Sequence, residues 1–436
     1  MNISKFPFYF VLVASVFPLI GGLLNVDLYH VPFISLSIFT IIFFLYKKKK
    51  LIFDFDFLFI VFLITFFVLI INILLSRGFT LLAFGGYVIF ASFIFQNFYF
   101  RYELNVRTIL IFFNFFYKSF LVILLIEILL IKFGFETSLK SLITGYKAHV
   151  GYDVGRFISR YIIYVGTNGP NSIFLGSQVA GTLCLLSFIW FKTSQKLNYF
   201  YSLKKYRSWK NLSFILFILT LSGTTFFLFF VFLAMTMLLK NKGFLKKFFW
   251  ILFFIILIYI AYYLIDNQII YTRIFRDNTV NIQLSAKPAL IEMNVFHLIK
   301  DMSQFEFYIF IFTRPVIEWT NLPFFSMMFG SGNTFVEQNI YIPGDFGYGA
   351  MLFKGGFLFS FSFTVLIIKF LYSYYLKKKY FFDLEIFNYL VIAITILFFS
   401  LIHYNQSISN FGIIFFFALH IAIANLLTKN KLKLKN

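Results

Sequence analysis

Residues 211–247 read "NLSFILFILTLSGTTFFLFFVFLAMTMLLKNKGFLKK". The stretch holds two apolar runs, 211–222 and 224–239, separated only by "SGTT" (222–225), and it ends in a lysine cluster. An apolar helix needs about 20 residues to cross roughly 30 Å of hydrocarbon. As one kinked helix the stretch carries the chain across once. As a tight pair it returns the chain to the side it left, and every residue after 239 changes sides with that choice.

The remaining chain supplies the criterion. It is 61% hydrophobic and 24% aromatic, with 72 Phe, where a soluble domain averages about 45–50% apolar. Apolar runs recur at 6–24, 28–46, 51–75, 79–98, 108–131, 171–191, 248–266, 349–375, 385–402 and 411–427. They do not alternate polar and apolar as barrel strands do. The first run lacks a small-residue cleavage site and is followed by more spans, so it reads as a retained helix. With the N-terminus inside and the pair counted as two, Lys5, "KKKK" (47–50), "RYELNVR" (101–107), 192–210, "KNKGFLKK" (240–247), "KKK" (377–379) and the tail fall on one side. These carry 24 of the 38 Lys and Arg, as the excess of cations in cytoplasmic loops requires. Counting the pair as one puts the later lysine clusters outside.

The expectation is therefore an all-α integral membrane protein of about 12 transmembrane helices, a single polytopic membrane domain over 1–436 with both termini cytoplasmic. The net charge of +21 is an orientation signal, so membrane lipid and no nucleic acid is the expected partner. Cys184 is the single cysteine and lies in an apolar run, which excludes an intramolecular disulfide.

Two outer loops are long, 132–170 and 267–348, and long loops are usually functional. The first ends in "GYDVGRFISRYIIYVGTNGPNS" (151–172). Arg156 and Arg160 are four apart, so on a helix they share a face. Two guanidiniums there suit a pyrophosphate, because arginine offers a two-pronged donor and stays charged; the other reading is that they anchor in the headgroup layer. The second loop runs into "FTRPVIEWTNLPFFSMMFGSGNTFVEQNIYIPGDFGYGAMLFKGG" (312–356). Arg314 precedes an amphipathic stretch with Glu318 and Trp319. Asp345 stands just before the span 349–375, with Tyr348 one turn on. A carboxylate there serves as a general base or caps the helix N-terminus.

Other polar residues divide similarly. "DFD" (54–56) has the spacing of a metal-binding acid pair, but it opens a span, where acids favour the helix N-terminus. Lys118 and Glu127 lie nine apart inside one span and are expensive there, so each is expected to face the bundle interior. His403, beside "YNQSISN" (404–410), joins the outer cavity or sits in the interface, and His420 reads as core. No metal-ligand spacing, phosphate loop or nucleophile elbow is present.

Taken together, "GRFISR…NGPNS" after the fifth span and "FGSGN…DFGYGAMLFKGGFLFS" before the tenth resemble the Wzy O-antigen polymerase family, within the O-antigen ligase-like membrane proteins. The matching positions are Arg156, Arg160, Pro170 and Asn171, then Phe329, Gly330 and Gly332, then Asp345, Tyr348, Gly355 and Gly356. "LTLSGTT" (219–225) stands where many members have an arginine-bearing turn, and the arginine is absent here. The resemblance implies a polysaccharide polymerase of the bacterial inner membrane, making O-antigen, capsule or exopolysaccharide. It would transfer a glycan from undecaprenyl pyrophosphate onto another lipid-linked repeat unit, with no metal or cofactor and with a chain-length regulator as a protein partner. Asp345 and Tyr348 would be catalytic, and Arg156, Arg160, Arg314 and His403 would bind substrate. The alternatives are a ligase of the same superfamily, which commonly has His where this chain has Asp345, and a lipid-linked oligosaccharide flippase.

Overall fold

The computed structural model describes residues 5–24, 31–47, 55–75, 85–100, 104, 106–132, 177–197, 203–219, 223–239, 313–314, 316–331, 347–377, 384–403 and 411–428. These are helical almost throughout, with no strand among the described residues. In chain order the helices are α1 (Phe6–Leu24), α2 (Val31–Lys47), α3 (Phe57–Leu74), α4 (Gly85–Ile94) with a π-helical turn (Phe95–Phe100), α5 (Val106–Lys132), α6 (Ser177–Leu197), α7 (Leu203–Leu219), α8 (Gly223–Leu239), the short α9 (Phe324–Phe329), α10 (Gly347–Lys377), α11 (Leu384–His403) and α12 (Phe411–Thr428).

The deciding stretch is two helices. Phe229 of α8 lies 5.5 Å from Phe217 and 6.3 Å from Phe214 of α7, ring centre to ring centre. In one continuous helix those pairs would stand about 18 and 22 Å apart, so α8 runs back along α7. The first helix is longer than its apolar run suggests. It starts at Leu203 and takes in Lys204, Lys205, Arg207 and Lys210, which the sequence reading left in a loop. Helix α6 pairs antiparallel with it, Phe191 on Trp209 and Phe188 on Phe214.

The helices alternate in direction. Asp56 at the start of α3 meets Gln96 at the end of α4 and Asn425 at the end of α12. Tyr374 near the end of α10 stacks on Phe387 at the start of α11, and its hydroxyl donates to the Leu239 carbonyl at the end of α8. These termini share one end of the bundle. Helix α12 is its centre: every residue from Ile413 to Thr428 is buried, as expected for a helix apolar on all sides. The opposite extreme is the outer surface of α2 and α3, where Ile38, Ile41, Ile42, Leu63, Phe66 and Phe67 are exposed. An apolar patch of that extent marks a surface that does not face water.

Among the described residues three helices are long and apolar enough to cross a membrane, Phe57–Leu74, Val106–Ile126 and Met351–Tyr374. The last is not continuous. Gly356 has φ 76° and ψ 175°, and the Tyr348 hydroxyl is 2.9 Å from Thr364 Oγ1. Those residues are sixteen apart, about 24 Å along a straight helix, far beyond the reach of the two side chains. Each is eight residues from Gly356, so α10 is a helical V with its apex there: a short limb, 347–355, folded against a long limb, 357–377. The long limb alone spans roughly 31 Å. Sequence periodicity could not show this break, because glycine occurs both in continuous membrane helices and at their breaks.

Candidate functional site

The glycine motif at the end of α9 and the glycine pair inside α10 meet at the apex of the V. Helix α9 ends at Phe329, and Gly330, with φ 87°, turns the chain. Its amide donates to the Ser326 carbonyl at 2.8 Å. The next residue clamps the short limb: Ser331 donates to the Phe353 carbonyl from its amide at 3.0 Å and from its hydroxyl at 3.1 Å. The crossing is backbone on backbone. A Cβ on Gly330 would fall on the Lys354 carbonyl, and one on Gly356 would fall on the Gly330 amide and the Met328 carbonyl. Only glycine combines positive φ with so close an approach.

Two side chains brace the crossing. Asn72, two residues before the end of α3 and 1% exposed, donates from Nδ2 to the Phe329 carbonyl at 2.8 Å and to the Val68 carbonyl at 2.9 Å. Its Oδ1 has no hydrogen-bond partner among the described residues. Trp319 donates from Nε1 to the Met327 carbonyl at 2.9 Å, and its ring stacks on Phe357.

The candidate residues distribute around this crossing as follows. Arg314 is half-buried and paired with Glu318, one turn on, in the segment that leads to Trp319. Tyr348 is half-buried inside the V, its hydroxyl on Thr364 and its ring edge-on to Phe398 of α11. Thr364 lies about 12 Å along the long limb from the apex, so the phenol reaches into the bundle. Asp345, Arg156 and Arg160 lie outside the described residues, as do the span 248–266 and most of both long loops. His403 is the last residue of α11, and its side chain lies outside them too.

Buried and half-buried polar residues of the apolar runs form two further clusters, whose members sequence reading took one at a time and did not join. At the end of the bundle away from the crossing, Asp56 Oδ1 accepts from the Phe59 amide at 2.8 Å, capping α3 as expected of an acid there. Its Oδ2 accepts from Gln96 Nε2 at 2.7 Å and Asn425 Nδ2 at 2.8 Å. Asn425 also donates to Gln96 Oε1 and accepts from Lys369. At mid-bundle, His420 Nδ1 donates to the Phe416 carbonyl at 2.7 Å. Its Nε2 therefore accepts from the Tyr389 hydroxyl at 3.0 Å, whose oxygen accepts from Tyr117. Here His420 is core, as expected. Lys118, half-buried within α5, holds its ammonium 5.6 Å from the centre of the Trp209 ring. The side chain of Glu127 lies outside the described residues. The signal for the clusters was available: a lone amide or imidazole in an apolar run needs an internal partner. What the sequence lacks is which run supplies it.

No family model, curated protein or solved structure matches this chain.

Proposed function

We propose that the chain is a polysaccharide repeat-unit polymerase. It crosses the bacterial inner membrane twelve times, with both termini and the Asp56 end cytoplasmic and the glycine crossing near the outer face. The observation that carries the reading is the contact of Phe329, Gly330 and Ser331, from the "FGSGN" motif, with the segment that ends in "KGG" (354–356). These are two of the short motifs on which the resemblance to the Wzy family rests, and the chain has built them into one backbone junction. Irregular backbone at membrane depth is tolerated where it is enclosed by protein or lines a cavity, which makes such a junction a place for function. Asp345, two residues before the short limb, and Tyr348 within it then serve the acceptor sugar of one lipid-linked repeat unit. Arg156, Arg160 and Arg314 meet the pyrophosphate of the undecaprenyl-linked donor and stabilise it as it leaves. Asp345 takes the proton of the attacking hydroxyl, and the displacement inverts the anomeric carbon. Arg314 shares its charge with Glu318 and orients by that pairing.

The test is surface-glycan length in a strain lacking the chain, complemented by variants at verified membrane level. Loss of the chain leaves surface glycan one repeat unit long, because attachment survives and extension does not. Asp345→Asn and Arg160→Lys each shorten the polymer, since a base or leaving-group stabiliser is worth on the order of 10²-fold in rate and lysine lacks the two-pronged donor. Repeat units trapped inside the cell would mark a flippase, and full-length polymer left unattached would mark a ligase. Normal lengths in both variants would remove the site.

A further inference from the structure

The outward face of α7 changes character within one turn. Arg207, Ser208, Asn211, Ile215, Ile218 and Leu219 are all exposed. At about 100° per residue they fall within an arc of roughly 120°, so they form one stripe along the helix. The stripe starts cationic and polar and finishes aliphatic, with Ile215, Ile218 and Leu219 54%, 42% and 44% exposed. Lys210, half-exposed, flanks its cationic part. No acidic side chain pairs with Arg207 or Lys210 among the described residues. Trp209 sits between them in sequence and turns inward against Phe191. Tryptophan gathers at membrane–water interfaces, which puts this turn at headgroup level. The aliphatic part, from Asn211 to Leu219, is about 12 Å long, close to the roughly 15 Å of hydrocarbon in one leaflet. Helix α7 starts where α8 finishes, at the end of the bundle that holds Leu239 and Tyr374.

We infer that this stripe is a binding site for an anionic phospholipid of the leaflet at the Asp56 end; naming that leaflet cytoplasmic rests on the proposed function. A phospholipid repeats the order of the stripe. Its phosphate meets Arg207 and Lys210, with the guanidinium offering a two-pronged donor, and an acyl chain lies along Ile215, Ile218 and Leu219. Basic surfaces at the cytoplasmic ends of membrane helices hold anionic headgroups in this way. A second copy of the chain does not fit the same face. Two copies in one membrane orientation meet level with level about a two-fold axis, which would set Arg207 against Arg207. The bound phosphate supplies the counter-charge that these cations lack, at a depth where uncompensated charge is expensive. It thereby fixes the level of the α7–α8 hairpin in the membrane.

The full chain, purified in neutral detergent, is melted with added phosphatidylglycerol, with phosphatidylcholine at the same mole fraction, and with inorganic phosphate. Phosphatidylglycerol is expected to raise the midpoint by about 2–5 °C over phosphatidylcholine, saturably. Inorganic phosphate is expected to leave it unchanged. The double variant Arg207→Gln, Lys210→Gln removes most of the difference between the lipids. A control that loses the same charge elsewhere, Lys378→Gln with Lys379→Gln, keeps it. Should the double variant not fold, each single substitution is expected to lower the shift by about half. Equal midpoints in the two lipids overturn the site, as does a full shift in both single variants. A control that loses as much as the α7 variant would reduce the effect to net charge, and inorganic phosphate that reproduces the shift would mark a site for a soluble anion; either result overturns the lipid site. The melting readout does not depend on polymer synthesis, so its failure leaves the proposed function standing, and the converse also holds.

Discussion

At the scale of single residues, three glycines differ in what surrounds them, and the difference ranks their substitutions. Gly330 and Gly356 have positive φ and face backbone. An alanine in left-handed backbone costs roughly 1–2 kcal/mol before any clash, and here the obstructing atoms are carbonyls and amides that cannot swing away. Gly85 is an ordinary helical glycine whose added methyl would meet the Phe363 ring at 2.9 Å, and a ring tip can give. Gly330→Ala and Gly356→Ala are expected to lower the melting midpoint severely or abolish folded protein. Gly85→Ala should cost about 1 kcal/mol or less, since part of its clash is offset by alanine's better helix propensity. Thermal unfolding in detergent ranks the three, and equal effects would mean that the crossing is not rigid. The sequence marked both glycine motifs through spacing and resemblance. It could not mark Asn72, whose importance depends on a carbonyl 257 positions away.

Among elements, the cluster around Asp56 shows how far local reading carries. Asp56 as the N-cap of α3 follows from sequence, and the cap is present. If capping were its whole role, Asp56→Asn would be nearly neutral, because asparagine caps as well as aspartate. The structure demands more. Oδ2 accepts from both Gln96 and Asn425, and an asparagine nitrogen at that place would set a donor against two donors. Asp56→Asn is therefore expected to destabilise by about 1–3 kcal/mol. Asn425→Leu should do at least as much, because it strips partners from Asp56, Gln96 and Lys369 together. A near-neutral Asp56→Asn would return the residue to the simple cap. The π-helical turn at Phe95–Phe100 belongs to the same account: it carries Gln96 to the carboxylate and Tyr99 to Thr40. A π turn is set by its tertiary partners rather than by a periodicity visible in "FQNFYF", so no sequence pattern announces it. The V of α10 was likewise hidden. The fold-back is held by tertiary contacts that no local pattern shows: the turn packed against Gly356, Ser331 on the Phe353 carbonyl, and Tyr348 on Thr364.

For the whole molecule, the arrangement of helices and the arrangement of charge are independent, and they agree at the stretch that decides the topology. Contacts among Phe214, Phe217 and Phe229 make 203–239 a helical hairpin. The lysines of 192–210 and 240–247 require the chain to leave and return on the same side if both clusters are to face the cytoplasm. Neither argument alone fixes the membrane. A hairpin can lie within one leaflet, and charge bias can be overridden by neighbouring spans. The decisive measurement places single cysteines on either side of the hairpin, in a background where Cys184, buried in α6, is replaced by alanine. Asn198→Cys and Asn241→Cys are expected to resist an impermeant maleimide in intact cells and to react after permeabilisation. Ser285→Cys, in the second long loop, should react in intact cells. If Asn198 and Asn241 label oppositely, the chain crosses once between them, and every helix after α8 is inverted. The Asp56 end would then need a different orientation at α10 and α12 than at α3 and α4. The contacts joining Asp56, Gln96 and Asn425 forbid that within one fold, so opposite labelling would overturn the bundle itself and not only its orientation.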